Sequence, residues 1–474
     1  MLSLFTDDQF NQMERDVVRV LSEVGYDIAH ERLKAVALAG GCRESTAGRV
    51  LFGAAQVADL KHRLLAQWPP AAGAGIAASL RPVQEPRTAI GNLTPKMYDY
   101  PSRSAVGGSA ANLTEIVKFA QAEPRIVGVT IPLSRQDVAP AIEQIDSTLL
   151  MARLTNKAIG CVDATVPESV PYLAAMGEAL GHDPAEFVGS CNCIIPPLRL
   201  ERRTAETMLR RARYHSRTMM TSMVCIGASG PVDVAGSVVL GSAEIVGGLI
   251  VAMLMDPDAP LMGYTAATQM DMRSGRVTSS SPATVQVDAG IYQLMEARFG
   301  GGTRVGGRGY ISATHPGLQA AFERFTKAIG YAAYVDRFAI SYSGTGNLDN
   351  GSVLSPEQLL LDLEVTEGLE RLWAEPTWEA GEGPTAADRI REAVLEEGGQ
   401  FLSAPHTLQH FRAALWDPAY FQRLAQTKSE EAIVAECHAD YRRRVAEYQP
   451  ASYPPEVLAE LAAILQRATA DLIG

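Results

Sequence analysis

The sequence predicts an α/β fold: a (β/α)8 TIM barrel with helical N- and C-terminal extensions. Three observations carry that expectation. From about Thr88 onward, short β-branched runs alternate with longer segments of helical period, and the alternation reaches eight of each. The strand candidates are too apolar to keep one face in water, which calls for parallel strands covered by helices. The flanks, residues 1–85 and 381–474, read as helical and are too lean in strand signals to form a sheet of their own, which leaves 86–380 for the barrel.

In chain order the predicted strands are Thr88 to Asn92, Arg125 to Ile131, Lys157 to Val162, Glu186 to Cys191, Thr218 to Cys225, Pro260 to Tyr264, Thr303 to Gly306 and Tyr334 to Tyr342. Helices are expected near Ala111 to Ala122, Val138 to Leu154, Pro167 to Leu180, Arg203 to His215, Val232 to Met255, Pro282 to Phe299, His315 to Ile329 and Ser355 to Leu372. Thr165-Val-Pro-Glu168 and Ser355-Pro-Glu-Gln358 each place a hydroxyl cap ahead of proline, with Glu or Gln at the third helical position. The N-terminal flank carries an Ala-, Gly- and Pro-rich connector at Pro69 to Ala78, and Pro454 breaks the C-terminal one.

Composition narrows the function. The 474 residues carry 42 Lys plus Arg against 54 Asp plus Glu, a net charge of −12, so a large basic surface for nucleic acid is not expected. At 47% hydrophobic and 20% charged, the chain has ample material for a large core. Asp7, Asp8 and Glu14 interrupt the N-terminus before a signal-peptide core develops, which reads as a cytoplasmic protein. Val232 to Met255 is the most membrane-like stretch, but Asp233 and Glu244 lie inside it, so a buried globular helix is the better account and no membrane partner is expected. The cysteines are scattered and fit reduced thiols; Cys191 and Cys193 alone are close, but a C-x-C pair without nearby partners is weak evidence for metal, and strand alternation points both the same way for ordinary packing reasons.

A barrel builds its active site from the loops after the carboxyl ends of its strands. Those positions hold Tyr98 and Tyr100 after the first strand, Asp163 after the third, Asn192 after the fourth and Gly227 to Gly230 after the fifth. Tyr264 and Asp271 follow the sixth, Arg308 and Tyr310 the seventh, and Tyr342, Asn347 and Asp349 the eighth. The set is rich in tyrosine and poor in paired carboxylates or His clusters. Ring faces attract a quaternary or tertiary ammonium, which cannot donate several hydrogen bonds. The same tyrosines also serve as half-buried fillers of loops. Asp271 either offsets a substrate cation or caps a turn. Glu244, in mid-helix, reads as a buried polar anchor rather than a catalytic group, and His315 as a helix-start or surface residue. His406 and His410 lie four apart but lack a further ligand, so no metal site is expected.

A set of segments then carries a resemblance. Cys225-Ile-Gly-Ala-Ser-Gly-Pro231, Ala235-Gly, Ser242-Ala-Glu244, Gly263-Tyr and Met270-Asp-Met-Arg-Ser-Gly275 are similar to the trimethylamine methyltransferase (MttB) family. The similarity continues through Gly317-Leu-Gln-Ala-Ala-Phe-Glu323, Gly398-Gly-Gln-Phe-Leu-Ser-Ala-Pro-His-Thr-Leu-Gln-His-Phe-Arg412, Trp416-Asp-Pro418 and Phe421-Gln-Arg423, spanning about Ala89 to Pro450.

The resemblance implies a methyltransferase that passes a methyl group from a methylated amine to the Co(I) of a separate, small corrinoid protein. Some members use pyrrolysine in the barrel mouth; this chain has ordinary residues only and resembles the branch that uses quaternary amines such as glycine betaine. Cobalamin is expected on the partner, because no D-x-H-x-x-G lower-ligand signature occurs in this chain. The loop Gly306-Gly-Arg-Gly-Tyr-Ile-Ser312 departs from the family's acidic pattern, and Arg308 there suits either a substrate carboxylate or an internal salt bridge. Ser281-Pro-Ala283 also departs, lacking a carboxylate usual in the family.

The expected site is therefore Tyr98, Tyr264, Asp271, Arg308, Tyr310 and Tyr342, binding a methylated amine, with no catalytic side chain assigned. The alternative class is a barrel without activity that binds a small quaternary amine as a sensor or store. The small-residue face of Val232 to Met255 suits a second subunit, hence a homo-oligomer, as well as it suits the chain's own neighbours.

Overall fold

A computed structural model describes the chain apart from residues 70–87, 190, 307–308, 337–338, 341–343, 375–383, 397 and 422–426, and the side chains of 413 and 414. Parallel strands follow one another in chain order. Thr88–Ile90 pairs with Ile126–Val129, which pairs with Ala158–Ile159. The third strand continues as Val162–Asp163 beside Val188–Gly189, and the fourth continues as Cys191–Cys193 beside Thr218–Ser222. Leu261–Thr265 is next, then Thr303–Val305, and Val305 bridges Ile340 in parallel. Parallel neighbours in strict sequence order, each joined by a helix, are the wiring of the predicted α/β barrel.

Among the described residues, three α-helices precede the barrel: α1 (Asp7–Arg19), α2 (Glu31–Ala39) and α3 (Ala54–Gln67). Within it run α4 (Ala110–Ala122), α5 (Glu143–Ala152), α6 (Val170–Ala179), α7 (Pro184–Phe187), α8 (Arg202–Arg211), α9 (Val234–Met255), α10 (Pro282–Leu294), α11 (Leu318–Tyr334) and α12 (Pro356–Trp373). The C-terminal flank holds α13 (Ala386–Leu395), α14 (Pro405–Ala414), α15 (Glu430–Ala446) and α16 (Pro455–Leu472).

Local chemistry explains where boundaries differ from the sequence expectation. Glu186 begins no strand: Asp183 accepts from Ala185 N and Pro184 follows it, so residues 184–187 form a short helix first. Thr165 is not a helix cap, because its hydroxyl donates to Gln144 Oε1 at 3.1 Å. Ser355 is one, accepting from Gln358 N at 3.1 Å. Tyr334, the expected start of the eighth strand, instead ends α11; residues 337–338 and 341–342 of the expected span lie outside the described residues.

Two cores sit on the outside of the barrel. One joins α9 to the N-terminal flank through Phe10, Val17, Leu21, Tyr26, Leu33, Phe52, Leu60 and Leu64. The other joins α4, α5, α6 and α12 to the C-terminal flank through Ile433, Cys437, Tyr441, Leu461 and Ile464. Close approach in the first depends on small residues: a Cβ on Gly247 would stand 2.4 Å from the Tyr26 ring, and one on Gly248 would stand 2.7 Å from Met220. Helix α9 is long and apolar enough to cross a membrane, but 72% of its apolar window is buried in the protein.

Two small sheets wall the mouth. The hairpin Lys96–Asp99 and Ser104–Gly107 after the first strand pairs with Val353–Leu354, which pairs with Asn347–Leu348. Across the mouth, Cys225–Ile226 pairs with Thr268–Asp271, which turns back as Arg276–Thr278.

Candidate active site

Side-chain alternation decides which residues enter the barrel. On the fifth strand, Met220 meets Gly248 of α9 and Ser222 Oγ donates to Glu244 Oε2 of α9 at 2.6 Å, so both face outward. Thr221 and Met223 face the axis. On the sixth, Gly263 abuts Ile245 of α9 and Thr265 Oγ1 donates to Asp288 Oδ1 of α10 at 2.7 Å, which turns Tyr264 inward. Val162 and Val188 belong to the outer core, which turns Asp163 inward.

These residues meet at the carboxyl ends of the strands. Asp163 Oδ1 accepts from Cys191 N at 3.1 Å. Cys191 Sγ lies 3.0 Å from Thr221 Oγ1, and Cys193 Sγ lies 3.9 Å from both Cys191 Sγ and Met223 Sδ. Tyr310, after the seventh strand, donates a long hydrogen bond of 3.5 Å to Asn92 Oδ1, after the first. Tyr264 covers Gly306, where a Cβ would stand 1.5 Å from the tyrosine oxygen. The centre thus offers two phenol rings, one carboxylate and a wall of sulfur.

Its electrostatics follow from burial. Desolvation raises the Asp163 carboxyl above its ordinary value, against the Cys191 N–H and the Arg211 and Arg203 charges, which lower it. Burial also raises the Tyr310 phenol, with Cys191, Cys193 and Asp163 adding to the effect. The mutual hydrogen bond pushes the Cys193 thiol down and the Cys191 thiol well up. Ring faces and polarisable sulfurs with one anion suit a compact N-methyl cation.

Buried charge holds the loops in place. Lys327 of α11 donates to Ser279 O at 2.5 Å and Tyr310 O at 2.7 Å, clipping the loops after the sixth and seventh strands together. Asp288 of α10 accepts from Ala267 N at 2.8 Å and from Tyr331 Oη at 2.7 Å. Glu323 Oε2 accepts from Ser312 N at 2.6 Å and Ser280 Oγ at 2.7 Å.

Of the six expected site residues, Tyr264 and Tyr310 reach this centre. Tyr98 packs with Ile311, Ala313, Ala320, Leu348 and Val353 in a separate small core, its ring edge-on to His315 at 5.9 Å. Asp271 is at the hairpin tip, where it accepts from Arg273 N at 3.0 Å and Ser274 Oγ at 2.8 Å; these bonds hold its carboxyl below the usual range. Arg308 and Tyr342 lie outside the described residues. Glu244 is a polar anchor: its Oε1 accepts from Leu198 N at 3.0 Å and burial pushes its carboxyl up to about 7. His315 is exposed and does not cap α11, whose N-cap is Gly317.

The sequence reading placed Asp163 at a strand end without drawing it into the site, and it left Cys191 and Cys193 to packing. Strand alternation was the signal for all three. Asn92, Thr221, Met223 and Lys327 gave no motif.

Comparison with known proteins identifies the relatives of this chain. The sequence model described as "Trimethylamine methyltransferase (MTTB)" matches residues 1–472. The trimethylamine methyltransferase MttB of Desulfitobacterium hafniense (strain DSM 10664 / DCB-2) is 25% identical over 77% of this chain and 73% of its own. The glycine betaine methyltransferase of D. hafniense (strain Y51) is 26% identical over 57% of this chain and 56% of its own, so the chain spans just over half of that relative. The trimethylamine methyltransferase MttB of Methanosarcina barkeri (strain Fusaro / DSM 804) is 24% identical over 86% of this chain and 83% of its own. A match over nearly every residue makes the chain a member of the trimethylamine methyltransferase (MTTB) family of methyltransferase enzymes.

Proposed function

We propose that this methyltransferase takes a methyl group from a quaternary or tertiary methylamine, a betaine first among them, and delivers it to the Co(I) of a separate corrinoid protein. The observation that carries the reading is the convergence of Tyr264, Tyr310 and Asp163 on the barrel axis at the mouth. The rings and the carboxylate steady the ammonium, and Cys191, Cys193 and Met223 give its methyl groups a soft wall. Asp163 takes the charge-offsetting part, since Asp271 is committed to its hairpin. From the sequence alone, Arg308 in the loop after the seventh strand is assigned to the betaine carboxylate.

A quaternary amine already carries its leaving-group charge. A partner's cobalamin would supply the nucleophile that takes the methyl group, and the electron pair of the N–CH3 bond would stay with the nitrogen. The chain's own task is then placement and exclusion of water rather than proton transfer. The six cysteines are free thiols, which fits a reducing, cytoplasmic compartment.

The test is incubation with a reduced corrinoid protein and a panel of methylamines and betaines. Methylcobalamin and the demethylated amine are expected with a betaine; no methylation across the panel refutes the reading. Arg308→Ala is expected to abolish betaine turnover and spare trimethylamine binding. Equal loss of both removes the carboxylate role.

A further inference from the structure

At the end of the barrel opposite the mouth, helix α9 ends on Asp256, and Asp258 follows within the loop that feeds the sixth strand. His215, in a left-handed conformation (φ 50°), lies just ahead of the fifth strand, beside them. One ligand-type atom from each of the three lies within 4.8 Å of the others. From this grouping we infer a binding site for one divalent first-row metal ion, held by His215, Asp256 and Asp258.

The hydrogen bonds of the cluster leave one buried carboxylate oxygen without a donor. Asp256 Oδ1 accepts from His215 Nδ1 at 2.9 Å and from Asp258 N at 3.3 Å. Asp256 Oδ2 is buried and takes no hydrogen bond among the described residues, although the residue is only 4% exposed. A buried carboxylate oxygen without a donor is costly, and a metal ion is an acceptor's partner where no N–H or O–H is at hand. Position adds to the argument: two carboxylates sit at the C-terminal end of a 22-residue helix, where the backbone dipole is itself negative. A bound dication balances the two carboxylates. His215 and Asp258 are exposed, so the ion has a way in and keeps water on its open positions.

The donor set selects the ion. One imidazole and two carboxylates suit Mn2+, Co2+ or Zn2+; Mg2+ and Ca2+ prefer oxygen alone. The site joins the loops that enter the fifth and sixth strands and is remote from the mouth, so its role is to pin the barrel base.

Untagged full-length protein, stripped with a chelator, is titrated with Mn2+ while the free-ion EPR signal is followed; Mn2+ is chosen because it shuns the thiols at the mouth. About one ion per chain is expected, together with a visible Co2+ spectrum that changes when the imidazole is lost. His215→Gln and Asp258→Asn alter exposed side chains and leave the fold intact, and each is expected to weaken Mn2+ binding by tenfold or more. The inference is overturned if the wild-type protein leaves the free-ion signal unchanged at millimolar Mn2+, or if both variants bind as tightly as it does.

Discussion

Single atoms decide the shape of the candidate pocket. Gly306 stands where any side chain would occupy the Tyr264 phenol, so Gly306→Ala must push that ring off its place. Turnover is expected to fall at least tenfold while the melting temperature moves little, because the displaced ring faces a solvent-reachable mouth; an unchanged KM and kcat would remove Tyr264 from the pocket. Glu244 makes a different statement. Burial raises its carboxyl from an ordinary 4.5 to about 7, so the native state holds a proton that the unfolded chain releases. The stabilisation is full below the unfolded value and is lost as pH rises through about 7, amounting to roughly 3 kcal/mol at most. Melting temperature should therefore drop between about pH 5 and about pH 8, and Glu244→Gln, which keeps an acceptor for Leu198 N, should flatten that part of the profile. Equal slopes in the two proteins would show that another group titrates.

At the scale of elements, the mouth is held by helices that reach over it. Lys327 of α11 ties two neighbouring loops through backbone carbonyls, so it positions Tyr310 without touching a substrate. Lys327→Met keeps the stem and leaves two buried carbonyls without a donor, a loss of about 2–4 kcal/mol. A rise in KM well beyond the fall in kcat is expected, read from steady-state kinetics, with the circular dichroism of a folded barrel retained; a loss of stability with unaltered KM would make the lysine purely structural. Sequence periodicity revealed the elements themselves, because strand alternation and helix period come from local apolar spacing. It missed α7, where Asp183-Pro184 starts a short helix that takes in Glu186 and Phe187, the expected start of the fourth strand, and it misplaced Thr165, whose hydroxyl goes to a distant glutamine. Tyr98 shows the same limit within the site: a strand-end ring is legible in sequence, but which of two cores takes it depends on how the mouth sheet folds back.

Across the whole molecule, each flank is bonded into a core that the barrel helices cannot complete alone. Tyr26 lies against Gly247, and its hydroxyl donates to the Glu244 carbonyl in the middle of α9. Helices α1, α2 and α3 cover that helix on the side away from the strands, and Arg298, just beyond α10, pairs with Asp7 and Glu14 of α1. In a sequence reading, such flanks look like additions, since long-range packing leaves no periodic mark on either partner. Their physical role follows from α9: apolar over most of its 22 residues, it is tolerable in water only when wrapped. A chain beginning at Thr88 should therefore expose that helix and aggregate or bind detergent, even though it retains every barrel strand. Sedimentation of the truncated protein, with and without detergent, measures this; a monodisperse, detergent-free barrel that still binds a methylamine would show that the strands and their own helices suffice.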